Sequence, residues 1–204
     1  MVLKDTEERV IPEMMKPTNN MLLEHISRYY FSTPYVKGRA LDIACGSGYG
    51  TQMIAKACKY QIERIIGVDL NSDAIEYAKG RYYHPMATYE VRDALDPLLR
   101  DKIGTFDTIL SFETIEHVAE EELFMNNLHD LLNPGGTLVL STPFGHGRGI
   151  PCGSPFHIHQ YTKEEFIDLF QAFSDVEVYY QRGVTIEPPR TEVYYPIGVA
   201  VCRK

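Results

Sequence analysis

The string Glu113-Thr-Ile-Glu116-His117 has the residue types and the spacing to do chemistry. On a helical turn, positions i, i+3 and i+4 share one face, so two carboxylates and an imidazole would converge there. Such a set can bind a hard or borderline divalent cation, here Mg, Mn, Fe or Zn. Without a cation, an imidazole in the same place can act as a general base. Further along, Phe156-His-Ile-His-Gln160 puts His157 and His159 on one side of an extended segment. Glu113, His117 and His157 are therefore the candidate catalytic groups, and Glu113, Glu116, His117 and His157 the candidate metal ligands. Three roles stay open for the cluster: cation binding, metal-free proton transfer by His117 or His157, and a structural part.

A second cluster is rich in glycine. After Asp42 the chain reads Ala44-Cys-Gly-Ser-Gly-Tyr-Gly-Thr51. Gly46 and Gly48 let the backbone approach a ligand closely and adopt positive φ. A helix starting behind them would present free N–H groups to an electron-rich ligand. Asp69 lies 23 residues past Gly46, where an acidic residue commonly binds ribose hydroxyls in dinucleotide folds. The G-x-G-x-x-G fingerprint of those folds is not matched, because the glycines here are Gly46, Gly48 and Gly50. Asp42, four residues before the first glycine, has no task in pyrophosphate binding and is placed to meet the ammonium of an amino-acid-bearing cofactor.

Both clusters need a frame, and the apolar periodicity supplies one. Thr18, preceded by Pro17, is expected to cap a helix running to Phe31. Arg39–Ile43, Arg64–Leu70, Thr88–Arg92, Phe106–Phe112 and Thr137–Thr142 read as strands. Helices fall near Tyr49–Cys58, from a Ser72 cap to Tyr82, and over Glu120–Leu132, where Asn133-Pro-Gly-Gly136 is the stop signal. Continuous apolar strands alternating with helices imply a parallel sheet covered on both faces. Residues 143–161 form a long loop, of a length that usually marks a lid. Thr162 and Glu165 then make a capping box, followed by an apolar face of Phe166, Leu169, Phe170 and Phe173. Val176–Tyr180 and Pro196–Cys202 are too close together for a helical crossover and are expected to pair antiparallel. Tyr161, Tyr179, Tyr180, Tyr194 and Tyr195 are candidates to line an acceptor pocket or to fill the core.

The expected fold is α/β: a Rossmann-like, seven-stranded, mostly parallel sheet with an antiparallel C-terminal strand and helices on both faces. One domain is expected, with an N-terminal helical cap over 1–37, a cofactor-binding core over 38–143, and an acceptor-side loop, helix and terminal strands over 144–204. The composition, 44% hydrophobic and 24% charged, suits a globular protein that can fill one core. No apolar run reaches the roughly 20 residues that span a bilayer, and the N-terminal stretch lacks a signal-peptide core. Cys45, Cys58, Cys152 and Cys202 are scattered, as suits reduced thiols, so a cytoplasmic location and no membrane partner are expected. The net charge of -8 and the absence of a Lys/Arg cluster argue against a nucleic-acid partner. A monomer or homodimer acting on a small molecule is expected.

Taken in order, LDIACGSGYGT, GVDLN, RDAL, FDTILSFETIEHV and LLNPGGTLVLSTP resemble the class I S-adenosylmethionine-dependent methyltransferases, specifically the type 11/type 12 small-molecule group. The resemblance covers residues 38–143 firmly and the rest more loosely. It implies S-adenosylmethionine as cofactor, with Asp42 meeting the methionine amino group directly or through water, and Ala44, Gly46 and Gly48 lining the methionine and ribose. Asp69 would accept both ribose hydroxyls, Leu70 would pack on the adenine, and Asp93 with the N–H of Ala94 would take the adenine edge. Phe112 and Glu113 would sit beside the transferring methyl. The E-x-x-E-H string also resembles the metal-binding residues of ubiquinone-pathway O-methyltransferases and small-RNA 2′-O-methyltransferases. The acceptor expected on these grounds is a hydroxyl of a sugar, polyol or natural product. The alternatives are a non-catalytic cofactor-binding regulatory module and an RNA 2′-O-methyltransferase.

Overall fold

The computed structural model describes residue 3, residues 8–151 and residues 153–204. Cys152 and the start of the N-terminal stretch read for a leader lie outside these described residues. Strands β1 (Gly38–Ile43), β2 (Ile62–Asp69), β3 (Ala87–Val91), β4 (Phe106–Phe112) and β5 (Leu132–Pro143) run parallel to their neighbours in the order β3-β2-β1-β4-β5. The sheet continues through β8 (Ile197–Arg203), β6 (Asp175–Arg182) and β7 (Thr185–Glu187), all antiparallel.

Among the described residues the sheet therefore has eight strands, one more than expected. The extra strand, β7, folds back on β6 through Gly183, whose φ is +56. Three residues are too few to show the alternation by which strands are read. The helices are α1 (Asn20–Ser32), α2 (Tyr49–Ala57), α3 (Ser72–Arg81), α4 (Leu99–Ile103), α5 (Glu121–Leu131) and α6 (Lys163–Asp168). Their caps correct two expectations. The Asn19 side chain, not that of Thr18, accepts the N–H of Leu22, and Asn71, not Ser72, accepts that of Ala74. The Asn133–Gly136 stop belongs to the start of β5, where Gly135 and Gly136 bond to Lys204. The capping box of Thr162 and Glu165 forms as expected.

Side chains alternate across the sheet, and the two faces bury different layers. Leu41 and Ile43 of β1 pack with Phe124, Leu128, Phe166 and Phe170 of α5, α6 and the turn after it. Ala40 lies on the other face with Leu22, Tyr29, Ile54 and Ile75 of α1 to α3. Asp42 shares that second face, a single carboxylate among apolar neighbours. Strand order reverses between β1 and β4, so the crevice beyond their C-terminal ends is the topological switch point where such sheets bind ligands. Among the described residues no helix is long and apolar enough to cross a membrane. Cys45, Cys58 and Cys202 are buried free thiols.

Candidate active site

The turn after β1 carries three left-handed residues: Ala44 (φ +58), Gly46 (φ +56) and Gly48 (φ +88). Gly48 is the N-cap of α2, and a Cβ there would lie 2.5 Å from the Cβ of Ala78 and 2.9 Å from the Tyr89 ring. Its bareness thus serves helix packing, and it does not line the site. At Gly46, by contrast, a Cβ would meet nothing within 4 Å, so the backbone faces open space. The N–H of Gly46 donates to Asp69 Oδ2 at 2.9 Å, and that of Asn71 to Asp69 Oδ1 at 2.8 Å. Asp69 is thereby held at the rim with lone pairs to spare.

Two cavities open here. One of about 400 Å³ is lined by Ile43, Ala44, Asp69, Leu70, Asp93 and Ala94, with Ile158 across the mouth. Leu70 is 69% exposed, the apolar shelf of this cavity. Asp93 accepts the N–H of Leu95 at 2.9 Å. The other cavity, about 430 Å³, lies between α1 and the ends of β1 and β4. Phe112, Glu113, Glu116, His117 and His157 all line it. Ala44, Asp69, Glu113 and His117 line both cavities.

Asp42 is not among the lining residues. It is sealed at 1% exposure beneath the glycine turn, where it accepts from Thr51 Oγ1 at 2.6 Å and from the Tyr29 hydroxyl at 3.2 Å. Burial pushes its carboxyl up to about 7, although these two bonds oppose the shift. Its link to the site runs through Tyr29, which lines the second cavity and packs edge-on against Phe112 with ring centres 5.0 Å apart.

The E-x-x-E-H string forms no α-helical turn. Glu113 precedes a short 3-10 turn, Ile115–His117, and has a φ of +49. Its Oε1 accepts from Ser141 Oγ at 2.8 Å. Glu116 is fully buried, with Oε2 accepting from Thr142 Oγ1 at 2.9 Å, and Oε1 lacking a hydrogen-bond partner among the described residues and lying 4.0 Å from His117 Nε2. Burial, reinforced by the nearby Glu113, holds the Glu116 carboxyl well above its ordinary range. The two glutamates are thus engaged by consecutive hydroxyls of β5. His117 Nδ1 lies 3.0 Å from the Phe156 carbonyl, a pure acceptor, which places the proton on Nδ1 and leaves Nε2 unprotonated in the neutral ring.

The 144–160 loop is fastened to this turn. The N–H groups of Ile158 and His159 both donate to the Glu116 carbonyl, at 2.8 and 3.1 Å. His157 meets His117 edge-on at 4.9 Å between ring centres, and burial, followed by the charge His117 can carry, lowers its pKa. Both His159 ring nitrogens are buried without hydrogen-bond partners among the described residues, and His159 lines neither cavity. Of the tyrosines weighed for the acceptor pocket, Tyr161 and Tyr195 are fully buried, Tyr180 packs between Phe144 and Tyr195, and Tyr194 is exposed; none lines either cavity.

The structure adds residues that sequence reasoning did not single out. Met21, Glu24, His25, Arg28 and Tyr29 project from one face of α1 into the second cavity. Their i, i+3, i+4, i+7 spacing was the available signal, a polar stripe where a core helix should be apolar. Arg28 is 1% exposed, with one guanidinium nitrogen donating to Gln181 Oε1 at 2.8 Å. Burial, then the Arg28 charge, holds His25 neutral by depressing its pKa. Glu8, from the N-terminal segment, faces both His117 and His157.

A family model described as a methyltransferase domain matches residues 41–140. A probable S-adenosylmethionine-dependent methyltransferase of Mycolicibacterium smegmatis is 29% identical over 81% of this chain and 63% of its own length. A ubiquinone biosynthesis O-methyltransferase of Chelativorans is 30% identical over 53% of this chain and 42% of its own. The chain thus spans less than two thirds of the length of these curated relatives. In fold, it superposes on a SAM dependent methyltransferase from Archaeoglobus fulgidus with a TM-score of 0.65 at 17% identity, covering 91% of this chain and 95% of that one.

Proposed function

We propose that this chain acts as a class I S-adenosylmethionine-dependent methyltransferase, the family whose domain model, relatives and fold it matches, and that it moves the methyl group to a hydroxyl oxygen of a small acceptor, a sugar, polyol or natural product. The observation that carries this reading is the junction of two cavities at Ala44, Asp69, Glu113 and His117. One side has the furniture for an adenosine: Asp69 for the ribose hydroxyls, Leu70 under the base, and Asp93 with Ala94 at its edge. The open space at Gly46 suits the close approach of the ribose and methionine to the backbone. The other side is lined by carboxylates and imidazoles, the residues of proton transfer and hydroxyl recognition.

The bound sulfonium supplies an electrophilic methyl and leaves as a neutral thioether. Glu113, directly after β4, stands where the two cavities meet, and Phe112 beside it lines the second cavity. Glu113, steadied by Ser141, takes the hydroxyl proton of the acceptor as its oxygen attacks, a contribution of roughly 10²–10⁴ in rate for a positioned base. His117 and His157 are the residues to hold a divalent cation, with Glu113 and Glu116 on the same cavity wall. Two imidazoles beside carboxylates suit Zn, Fe or Mn better than Mg, which prefers oxygen alone. Such a cation would lower the pKa of the attacked hydroxyl. The ubiquinone-pathway relative, an O-methyltransferase by name, agrees with an oxygen acceptor.

The test is calorimetric titration with S-adenosylhomocysteine, followed by turnover on a panel of hydroxylated acceptors. One-to-one binding is expected, with a thermal shift of about 5 °C or more at saturating ligand. Failure to bind would end the cofactor assignment; methylation of amines but no hydroxyl would end the acceptor assignment.

A further inference from the structure

Three segments far apart in sequence bring ligand-type atoms together at the mouth of the second cavity: Glu8, His117 and His157. Their carboxylate oxygens and ring nitrogens all lie within 4.8 Å of one another. Glu8 Oε1 is 3.5 Å from His157 Nε2, and Glu8 Oε2 is 3.9 Å from His117 Nε2. Bonds of about 2.0–2.2 Å to a tetrahedral ion put ligand atoms roughly 3.4 Å apart, so from a spread of up to 4.8 Å the set closes by side-chain movements of up to about 1.4 Å.

Two of the three also have the outer partner that orients a metal ligand. His117 donates from Nδ1 to the Phe156 carbonyl, which aims Nε2 at the cluster. His157 Nδ1 lies 3.4 Å from Gln160 Nε2, so a metal on His157 Nε2 requires the Gln160 amide turned to offer its oxygen. Glu8 Oε1 accepts from Ser154 Oγ at 2.6 Å. Of the acidic ligands expected from the sequence, Glu113 Oε1 and Glu116 Oε2 accept from Ser141 and Thr142, and Glu116 Oε1, 4.0 Å from His117 Nε2, is fully buried. All three ligands are half-buried, and the cavity side leaves room for an exchangeable ligand.

We propose that Glu8, His117 and His157 form a two-histidine, one-carboxylate site for a divalent transition metal, and that the ion clasps the N-terminal segment over the acceptor cavity. Hydrogen bonds also fasten the segment at the cavity wall and past it. Ser47 donates to the Val10 carbonyl at 2.7 Å, and Glu13 accepts from Tyr82 at 2.7 Å. The ion would tie down the end that covers the mouth, joining strap, turn and loop at one point. The assignment deepens the acceptor-side reading, since it replaces its acidic ligands by Glu8. It stands or falls separately from cofactor binding.

The experiment titrates the chelator-stripped whole chain with Zn²⁺ by calorimetry and with Co²⁺ by visible absorption. One-to-one binding is expected, with Co²⁺ bands of a low-coordinate nitrogen and oxygen site. Glu8→Gln should weaken Zn²⁺ by about tenfold or more, whereas Glu116→Gln should keep it within about threefold. In the unaltered chain, Zn²⁺ should slow hydrogen exchange at residues 8–11, a readout that needs no variant. Absence of stoichiometric binding, equal affinity in Glu8→Gln, or unchanged exchange at 8–11 would each overturn the proposal. S-adenosylhomocysteine titrated into the same stripped samples reports on the methyltransferase reading independently.

Discussion

Thr51, in the first turn of α2, donates its hydroxyl to Asp42 at 2.6 Å, beneath the glycine turn rather than into the cavity. The acid that the motif places against a cofactor ammonium is spent on holding the turn to α1 and α2. Tyr29 completes the arrangement and carries it to Phe112. Through Tyr29, Asp42 is linked to the cavity wall without lining it.

Its burial gives a pH signature. The folded-state pKa, raised to about 7, exceeds that of the unfolded chain, so the folded protein holds a proton that the unfolded chain releases. The associated stability is full below pH 4 and is lost as pH rises towards 7, on the order of 4 kcal/mol. The difference in Tm between the wild type and Asp42→Asn should fall by several degrees from pH 4.5 to 7.5 and level off above. A difference that stays constant with pH would show that Asp42 is charged throughout.

The two glycines of the turn should separate fold from site. Gly48→Ala combines left-handed backbone with overlap against Ala78 and Tyr89, at about 3 kcal/mol or more. Gly46→Ala meets no protein atom and should cost only about 1–2 kcal/mol, yet its methyl enters the space assigned to the cofactor. Thermal melts and S-adenosylhomocysteine titrations on both variants check this. A Gly46→Ala protein that binds as tightly as wild type would remove that residue from the cofactor wall.

Asp69→Asn keeps one acceptor for the Gly46 or Asn71 N–H but loses the charge and an acceptor for the ribose. Affinity for S-adenosylhomocysteine should drop by roughly 10- to 100-fold, about 1–3 kcal/mol for hydrogen bonds to a charged group. The melting temperature should change little, because Asp69 lies at the rim. An unchanged Kd would place the ribose elsewhere.

Glu113→Gln retains the acceptor for Ser141 and removes the base. Turnover should fall by about 10²–10⁴ with cofactor affinity within threefold. A variant that loses turnover and cofactor binding equally would argue that Glu113 holds the cofactor instead.

Much of this site could be read along the chain. The glycine turn, Asp69, Leu70, Asp93 and Ala94 follow strand ends directly, and a parallel sheet collects its strand ends at one edge. Glu113 and His117 follow β4 by the same rule. Glu8 was out of reach, because Ser154, its partner, lies 146 residues away and no local pattern links them. The lining face of α1 was legible only as a polar stripe without a destination.

The sequence by itself determined the parallel core, the class of the fold and the order of the cofactor-side residues, since apolar periodicity and turn chemistry act over a few neighbours. Tertiary structure alone decided where the carboxylates point. Asp42 turned inward to Thr51, Glu113 and Glu116 turned to the hydroxyls of β5, and Glu8 came to the histidines. Each outcome depends on which hydrogen-bond donors packing brings within reach of a buried acid, and those donors lie on other elements. Burying a carboxylate without them would cost several kcal/mol, so packing, not spacing, selects the residues that face the acceptor.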